Sequence, residues 1–189
     1  MLGRFSYLKL YIPAACAGIF LLTACENDLN KVKAIAAADA TKPVDRTTGL
    51  DVIFSDSAKV KFHITTPLML DYKTTPAYSL MPKGVKVVFY NEKMQIAGTI
   101  IADTGIRRDT LIEFHHNVVA TNPEGSVLKS DELIWNQFKK QVYSNKKVVM
   151  TKVGGDVVTG TSVVSDDKLQ HPIFQNATAV IHVNGDLTQ

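Results

Sequence analysis

The chain has 189 residues, of which 46% are apolar and 21% are charged, and its formal net charge is +3. This composition is close to that of an average globular protein and excludes an intrinsically disordered chain. The charges are mixed in sign and form no basic cluster that would indicate a nucleic acid partner.

The N-terminus has the pattern of an export signal. Basic Arg4 and Lys9 lead into the uncharged run LYIPAACAGIFLLTA over residues 10–24. A helix that spans a bilayer needs about 20 apolar residues, so this run is short for a span and typical of a secretory signal peptide. We therefore predict a signal peptide over residues 1–24, with an uncleaved membrane anchor as the alternative.

The signal ends in LTAC, with small residues directly before Cys25. This is the pattern of a bacterial lipobox, in which the cysteine thiol takes the lipid, so Cys25 is the predicted lipidation site. Cys16 fits less well, because Pro13 stands where an aliphatic residue is expected. With both cysteines in or beside the leader, the exported body has no disulfide, thiol nucleophile or cysteine-based metal site.

Residues 25–48 are polar and alanine-rich, and they read as a tether between the lipidated cysteine and a domain over residues 49–189. From Leu50 onward the sequence consists of short stretches in which apolar and polar residues alternate, and these stretches are rich in Val, Ile, Thr and aromatic residues. These patterns predict strands. The predicted strands cover residues 50–54, 58–64, 85–90, 94–102, 110–120, 132–135, 147–153, 156–164 and 177–184. Many short strands at this spacing predict an all-β architecture.

A loosely repeated phrase places an aspartate at predicted strand boundaries. It occurs as Ser55-Asp56, Ala102-Asp103, Ser130-Asp131 and Ser165-Asp166. Aspartate closes turns by side-chain to backbone hydrogen bonds. The phrase therefore predicts a repeated unit of strand, turn and strand, stacked so that neighbouring units bury a shared apolar interior.

Three stretches resemble the LptC family, which is related to the LptA-type (OstA-like) periplasmic domains. They are GVKVVFYNEKMQIAGTIIAD at residues 84–103, LIEFHHNVVATNPEGSVLKSDELIWNQFKKQVYSNKKVVMTK at residues 111–152 and VVTGTSVVSDDKLQ at residues 157–170. The resemblance lies in the order and spacing of Asn-Val, Gly, Leu, Ser-Asp, Leu and Trp, followed by a glycine turn and a second Ser-Asp. It covers about residues 47–184.

The resemblance implies a twisted, V-shaped open β-jellyroll of stacked antiparallel strands. It also implies a place on the periplasmic side of the inner membrane. There the chain would receive lipopolysaccharide from an ABC transporter of the LptB/LptF/LptG type and pass it to an LptA-type bridge protein. Acyl chains would lie in the jellyroll interior, and jellyrolls would join through terminal strands. Better-known members keep an uncleaved membrane helix, so the lipobox at Cys25 departs from the family pattern.

An acyl-chain carrier needs an apolar trough that opens to the side, and strand alternation identifies the side chains that would line it. The candidate interior residues for lipid binding are Val87, Phe89, Ile112, Phe114, Leu133, Trp135 and Ile181. His116 shares the predicted face of Ile112 and Phe114. The same side chains would form an ordinary core in any β domain.

No pattern in the sequence indicates an active site, a cofactor or a metal. His115 and His116 are adjacent, so in a regular strand they point to opposite faces and do not chelate one ion together. The Ser-Asp pairs have no histidine at a spacing that would make the serine a nucleophile. A non-enzymatic function is therefore expected. The alternatives are a surface lipoprotein with a glycan- or ligand-binding β-sandwich, and an assembly lipoprotein without a ligand.

Overall fold

The computed structural model describes residues 44–182. Every regular element in the described range is a β-strand, and the strands pair antiparallel, so the predicted all-β, jellyroll-like fold class is confirmed. The predicted signal peptide and Cys25 lie outside the described residues.

Fourteen strands are described, and they belong to one hydrogen-bonded sheet. They are β1 (Val44–Asp56), β2 (Lys59–Tyr72), β3 (Tyr78–Met81), β4 (Val85–Tyr90), β5 (Ile96–Ala102), β6 (Thr104–Arg108), β7 (Leu111–Thr121), β8 (Val127–Asn136), β9 (Gln141–Ser144), β10 (Val148–Thr151), β11 (Val157–Gly160), β12 (Ser162–Asp166), β13 (Ile173–Gln175) and β14 (Thr178–Val180).

The first strand begins earlier than the sequence predicted. β1 starts at Val44, whereas the tether was expected to run to residue 48. The polar segment over residues 44–48 is strand because it pairs with residues 68–72 of β2, and Gly49, with φ of 64°, interrupts this pairing without ending it. Here pairing with the long strand β2, and not the local composition, determines the conformation.

The sheet is folded over on itself, because its long strands are shared between two layers. Residues 111–115 of β7 pair with β6, whereas residues 119–121 pair with β5. In β8, residues 134–136 pair with β9 and residues 127–130 pair with β10. We call β3, β6, β9, β12 and β13 layer 1, and β4, β5, β10, β11 and β14 layer 2, while β2, β7 and β8 cross between them.

The strands bend along a line of polar residues that we call the corner. Within β7, His116 and Asn117 have φ values of 62° and 50°, in the left-handed region. The Asn117 side-chain amide donates to Asp103 Oδ2 at 2.6 Å, and the Asp103 backbone N–H donates to the His116 carbonyl oxygen. One strand further on, the Ser130 hydroxyl donates to the Lys147 carbonyl oxygen at 3.1 Å. These bonds satisfy polar groups that the bend takes out of the strand ladders.

The two layers face each other across a shared apolar interior. Trp135 of β8 contacts Phe62 of β2 and Phe89 of β4 edge to face, with ring centroids 4.9 Å and 4.8 Å apart. Strand alternation sends every second side chain inward, as Ile112 and Phe114 of β7 illustrate. The long strands therefore contribute one apolar face to the interior and one polar face to solvent.

The repeated Ser-Asp phrase does not mark one structural unit, contrary to the sequence prediction. Asp103 lies at the corner, and Asp131 lies inside β8, opposite the register shift of β7. Asp56 ends β1 and Asp166 ends β12, both at hairpin turns. Of the four, Asp166 accepts backbone N–H groups in the way expected of a turn former, whereas Asp103 accepts from the Asn117 side chain and Asp56 from the Ser57 hydroxyl. The phrase therefore marks interruptions of strand pairing of two different kinds.

Candidate functional site

Six of the seven predicted interior side chains lie between the two layers. Each is at most 3% exposed, and they are Val87, Phe89, Ile112, Phe114, Leu133 and Trp135. β4 supplies the first two, and the crossing strands β7 and β8 supply the other four. Burial of this kind is common to a ligand-binding face and an ordinary core, so lipid binding by these residues stays a prediction.

Ile181 does not belong to the covered interior as predicted, since its side chain is 66% exposed. β14 ends at Val180 and is paired with β11 over residues 178–180. Ile181 follows the paired segment at the end of the sheet, and much of its side chain is open to solvent. His116 is also exposed, because its positive φ turns it out of the strand at the corner.

The middle of the interior is filled by its own side chains. Nine apolar residues among those described have no exposed surface: Val87, Ile112, Phe114, Ala120, Leu128, Leu133, Val142, Val148 and Val163. The trough expected to open sideways along its length is therefore closed at its centre. A guest molecule reaches these side chains only if the two layers move apart.

Opposite the corner, hairpin turns of the two layers approach each other along a line that we call the mouth. The mouth contains a cavity of about 180 Å³, the aromatic cavity, lined by Phe54, Phe62, Phe89 and Trp135. Lysine and carboxylate side chains form its outer rim: Asp56, Lys61, Glu92, Lys140, Asp167 and Lys168. Since the turns of both layers contribute to this rim, the cavity lies between the layers.

A second cavity, of about 450 Å³, lies further along the mouth and is called here the C-terminal cavity. Its apolar wall is formed by Met150, Val158, Leu169 and Phe174. Phe174 also packs against the buried core. The apolar interior is therefore continuous with this opening.

The turn between β12 and β13 separates the two cavities. It carries Leu169, which is 3% exposed although it lies in a turn between a lysine and a glutamine. Leu169 has φ of 55°, a left-handed conformation that a residue with a Cβ adopts at a cost. The turn thus holds an apolar side chain in the mouth at the expense of backbone strain.

Asp166 organises this turn through its carboxylate. Oδ1 accepts the backbone N–H groups of Lys168 and Gln170 at 2.9 and 3.0 Å, and Oδ2 accepts the His171 backbone N–H and ring Nδ1. Burial raises the pKa of Asp166, but the hydrogen bonds outweigh it and the pKa falls below the usual value. The neighbouring Asp167 makes few such bonds, and burial raises its pKa.

The rim of the aromatic cavity contains a shared ion pair. Lys59 Nζ and Lys61 Nζ each lie 2.8 Å from the Glu92 carboxylate. The hydrogen bonds and charges of the two lysines lower the pKa of Glu92 to about 2, and the hydrogen bond to Glu92 raises the pKa of Lys61. The pair joins the β1–β2 hairpin to the β4–β5 turn at one end of the mouth.

Two buried polar atoms have no hydrogen-bond partner in the described structure, the indole Nε1 of Trp135 and the hydroxyl of Ser165. They lie in one row across layer 1, because Trp135 pairs with Val142 and Val142 pairs with Ser165. At the usual strand spacing the two residues are roughly 10 Å apart. The sequence analysis did not predict this row. Ser165 lies two residues after Val163, so strand alternation would have placed its polar side chain on the same inward face.

The described residues contain no group of three or more histidine, cysteine, aspartate and glutamate side chains placed to hold a metal ion. His115 lies 3.3 Å from Glu113 through Nε2 and 3.9 Å from Glu132 through Nδ1. His63 lies 2.6 Å from Asp51 on the β1–β2 hairpin. These contacts link histidine and carboxylate side chains within or between neighbouring strands. The absence of an enzymatic function stays an expectation.

Comparison with protein-family models and with curated protein sequences found no match. Over residues 44–182 the chain contains no helix that is long and apolar enough to cross a bilayer.

Proposed function

We propose that this chain is a membrane-anchored periplasmic component of the lipopolysaccharide transport bridge. The main observation in support is an apolar inner face that extends beyond the covered core at both ends of the sheet. At one end, Val52 and Phe54 of β1 lie opposite Ile64 and Phe62 yet are 42% and 48% exposed. At the other end, Phe174 leads from the core into the C-terminal cavity.

Acyl chains fit this surface better than a polar ligand does. Transfer of a methylene group from water to an apolar surface is worth about 0.8 kcal/mol, so several chains give ample affinity even when they are partly covered. Because the centre is filled, the cargo enters by parting the layers at the mouth. The contacts of the turn that carries Leu169 are the first that have to break when the layers part.

The ends of the sheet suit partners that add strands. Among the described strands, β1 pairs with β2 alone, and β13 and β14 each have a single partner at the other end. An unpaired edge accepts another strand through backbone hydrogen bonds. We assign the two ends to the jellyroll of an LptB/LptF/LptG-type ABC transporter and to an LptA-type bridge protein. Lipidated Cys25 holds the chain at the periplasmic side of the inner membrane.

Photo-crosslinking in living cells tests this function. A benzophenone amino acid at Phe174, which faces the interior, is expected to capture lipopolysaccharide, whereas the same amino acid at Ile173, 71% exposed on the outer face, is not. Depletion of the chain is expected to reduce lipopolysaccharide at the outer leaflet. Equal capture at both positions, or at neither, contradicts the proposal.

The second candidate, a glycan-binding surface lipoprotein, has one observation in its favour. Tyr72 and Tyr78 stack with centroids 4.6 Å apart at the β2–β3 hairpin, and Arg108 lies over the Tyr78 ring. The two tyrosines border a cavity of about 240 Å³. Glycan binding that is lost in Tyr72→Ala, together with no crosslinking at Phe174, would favour this candidate over the carrier.

A further inference from the structure

We propose that the row of Trp135 and Ser165 binds the carbonyl oxygens of acyl groups. The inference rests on the proposed carrier function and assigns hydrogen-bond donors to it. Trp135 is 2% exposed and Ser165 is 4% exposed, and neither polar group has a partner in the described structure. A buried donor without an acceptor is unfavourable, so a ligand that supplies the acceptor gains this energy on binding.

The surroundings of the two donors select a neutral acceptor. Val142 lies between them in the same row and has no exposed surface, and Phe62 and Phe89 contact Trp135. A phosphate or carboxylate moved into this apolar row would lose its hydration without gaining a counter-charge. A carbonyl group pays a much smaller penalty, and an acylated molecule with two carbonyl groups offers one acceptor to each donor.

The rim of the aromatic cavity carries a balanced set of charges. Its three lysines are Lys61, Lys140 and Lys168, and its three carboxylates are Asp56, Glu92 and Asp167. Equal numbers of the two signs, with Lys61 already engaged by Glu92, do not form a site for a free anion. The rim suits the polar head of an acylated molecule, whose chains lie against the aromatic rings and whose ester or amide carbonyls reach the donors.

The single tryptophan of the chain reports on this site directly. The full chain, held in amphipol and labelled with ¹⁵N at tryptophan, gives one indole N–H resonance. It is titrated with 1-monolauroylglycerol and with 1-O-dodecylglycerol, which share the chain length and head group but differ in the acyl carbonyl. The ester is expected to shift the indole resonance downfield and to bind about fivefold more tightly than the ether. Equal affinities, or an unmoved resonance, overturn the proposal and mean that the facing phenylalanine rings already satisfy the N–H.

Variants distinguish the effect of losing a hydrogen-bond donor from the effect of a change in side-chain packing. Trp135→Phe keeps an aromatic side chain without the N–H and is expected to remove most of the ester preference, so that the ester and the ether bind with nearly equal affinity. Ser165→Ala is expected to reduce the preference about twofold. The matched control is Ser144→Ala, an equally buried serine whose hydroxyl already accepts the Lys146 backbone N–H, and it should keep the full preference. If Trp135→Phe does not fold, the ester and ether titrations of the unchanged chain still decide.

Purified lipopolysaccharide and a diacyl phospholipid form the last two arms and distinguish the sources of acyl carbonyls. Lipopolysaccharide binding with the indole shift supports both the site and the carrier function. Lipopolysaccharide binding without the shift overturns the carbonyl site and leaves the carrier function standing. A shift with monolauroylglycerol or phospholipid but no lipopolysaccharide binding supports the site and contradicts the carrier function.

Discussion

The Asn122 side-chain amide donates a hydrogen bond to the backbone carbonyl oxygen of Leu169 at 3.4 Å, and this bond joins the two layers across the mouth. Asn122 is itself fixed, because its Oδ1 accepts the backbone N–H groups of Glu124 and Ser126. A rigid turn of one layer thus holds the strained turn of the other. The mouth is therefore closed by one long hydrogen bond and one apolar side chain. Closure by so few contacts suits a mouth that opens.

The first prediction concerns that side chain. Leu169→Ala removes a buried leucine and should lower the free energy of unfolding by about 2–3 kcal/mol. It also joins the aromatic and C-terminal cavities, so the variant should take up an apolar fluorescent dye more readily than the unchanged chain does. Chemical denaturation and dye titration measure the two effects. Val164→Ala, a 40% exposed position on β12, is the control and should cost under about 0.5 kcal/mol without added dye binding.

The second prediction concerns the corner. Asn117 lies at φ of 50° and donates to Asp103, so Asn117→Ala should lose both a hydrogen bond and a residue tolerant of the left-handed region. Asn117→Gly loses the same bond but accepts the conformation freely. We expect the alanine variant to be about 1 kcal/mol less stable than the glycine variant in thermal unfolding. Equal stabilities would mean that the bend does not depend on this dihedral angle.

The third prediction concerns the two adjacent carboxylates of the β12–β13 turn. The lowered pKa of Asp166 means that its contribution to stability is full above the unfolded pKa, near 4, and is lost as the pH falls through its lower folded value. The raised pKa of Asp167 has the opposite sign, since its ionisation opposes folding as the pH rises.

Asp166→Asn should therefore lower stability by about 1 kcal/mol at neutral pH and by less at about pH 3, where the aspartate is partly protonated. Asp167→Asn should raise stability by a few tenths of a kcal/mol at neutral pH, a small figure because this side chain is partly screened by solvent. Denaturation curves at both pH values measure the pair. A destabilising Asp167→Asn at neutral pH would contradict the assigned cause of its shift.

The fourth prediction concerns the free edge at β1. Val52 is on the inner face of β1 and Ile53 is on the outer face, and both are exposed in the described structure. Val52→Lys places a charge in the apolar path that a neighbouring jellyroll would continue, whereas Ile53→Lys does not. We expect Val52→Lys alone to abolish lipopolysaccharide transfer in a reconstituted bridge, with both variants folding normally. Similar losses in both would indicate that the inner face of β1 is not the path.

Strand alternation predicted the fold class and most of the long strands, but it missed four short ones. β3, β6, β9 and β13 contain five residues or fewer and carry polar or charged side chains. They are strands because long neighbours pair with them, which local composition does not reveal. The sequence pattern does not reveal the bend for a related reason. Residues 156–164 have the pattern of a single strand, yet β11 and β12 separate at Thr161 and join different layers.

The interior candidates were predictable where strands are regular and unpredictable elsewhere. Phe114 and Trp135 follow the alternation of well-paired strands, and both are buried. Ile181 follows the same alternation, but it lies past the last pairing and is exposed. Leu169 occurs in the polar phrase DDKLQHP, where no periodicity applies, so its burial depends on a turn held by Asp166. Sequence patterns thus report faces of strands, and they do not report what covers those faces.

The most direct test of the account is the distance across the mouth. Spin labels attached through keto amino acids at Lys93, in the β4–β5 turn, and Lys139, in the β8–β9 turn, avoid the native cysteines and report on the two layers by pulsed electron resonance. The account predicts that saturating lipopolysaccharide widens this distance by about 4 Å, one added layer of carbon contacts. Bound lipopolysaccharide with an unchanged distance would contradict the claim that acyl chains enter between the layers.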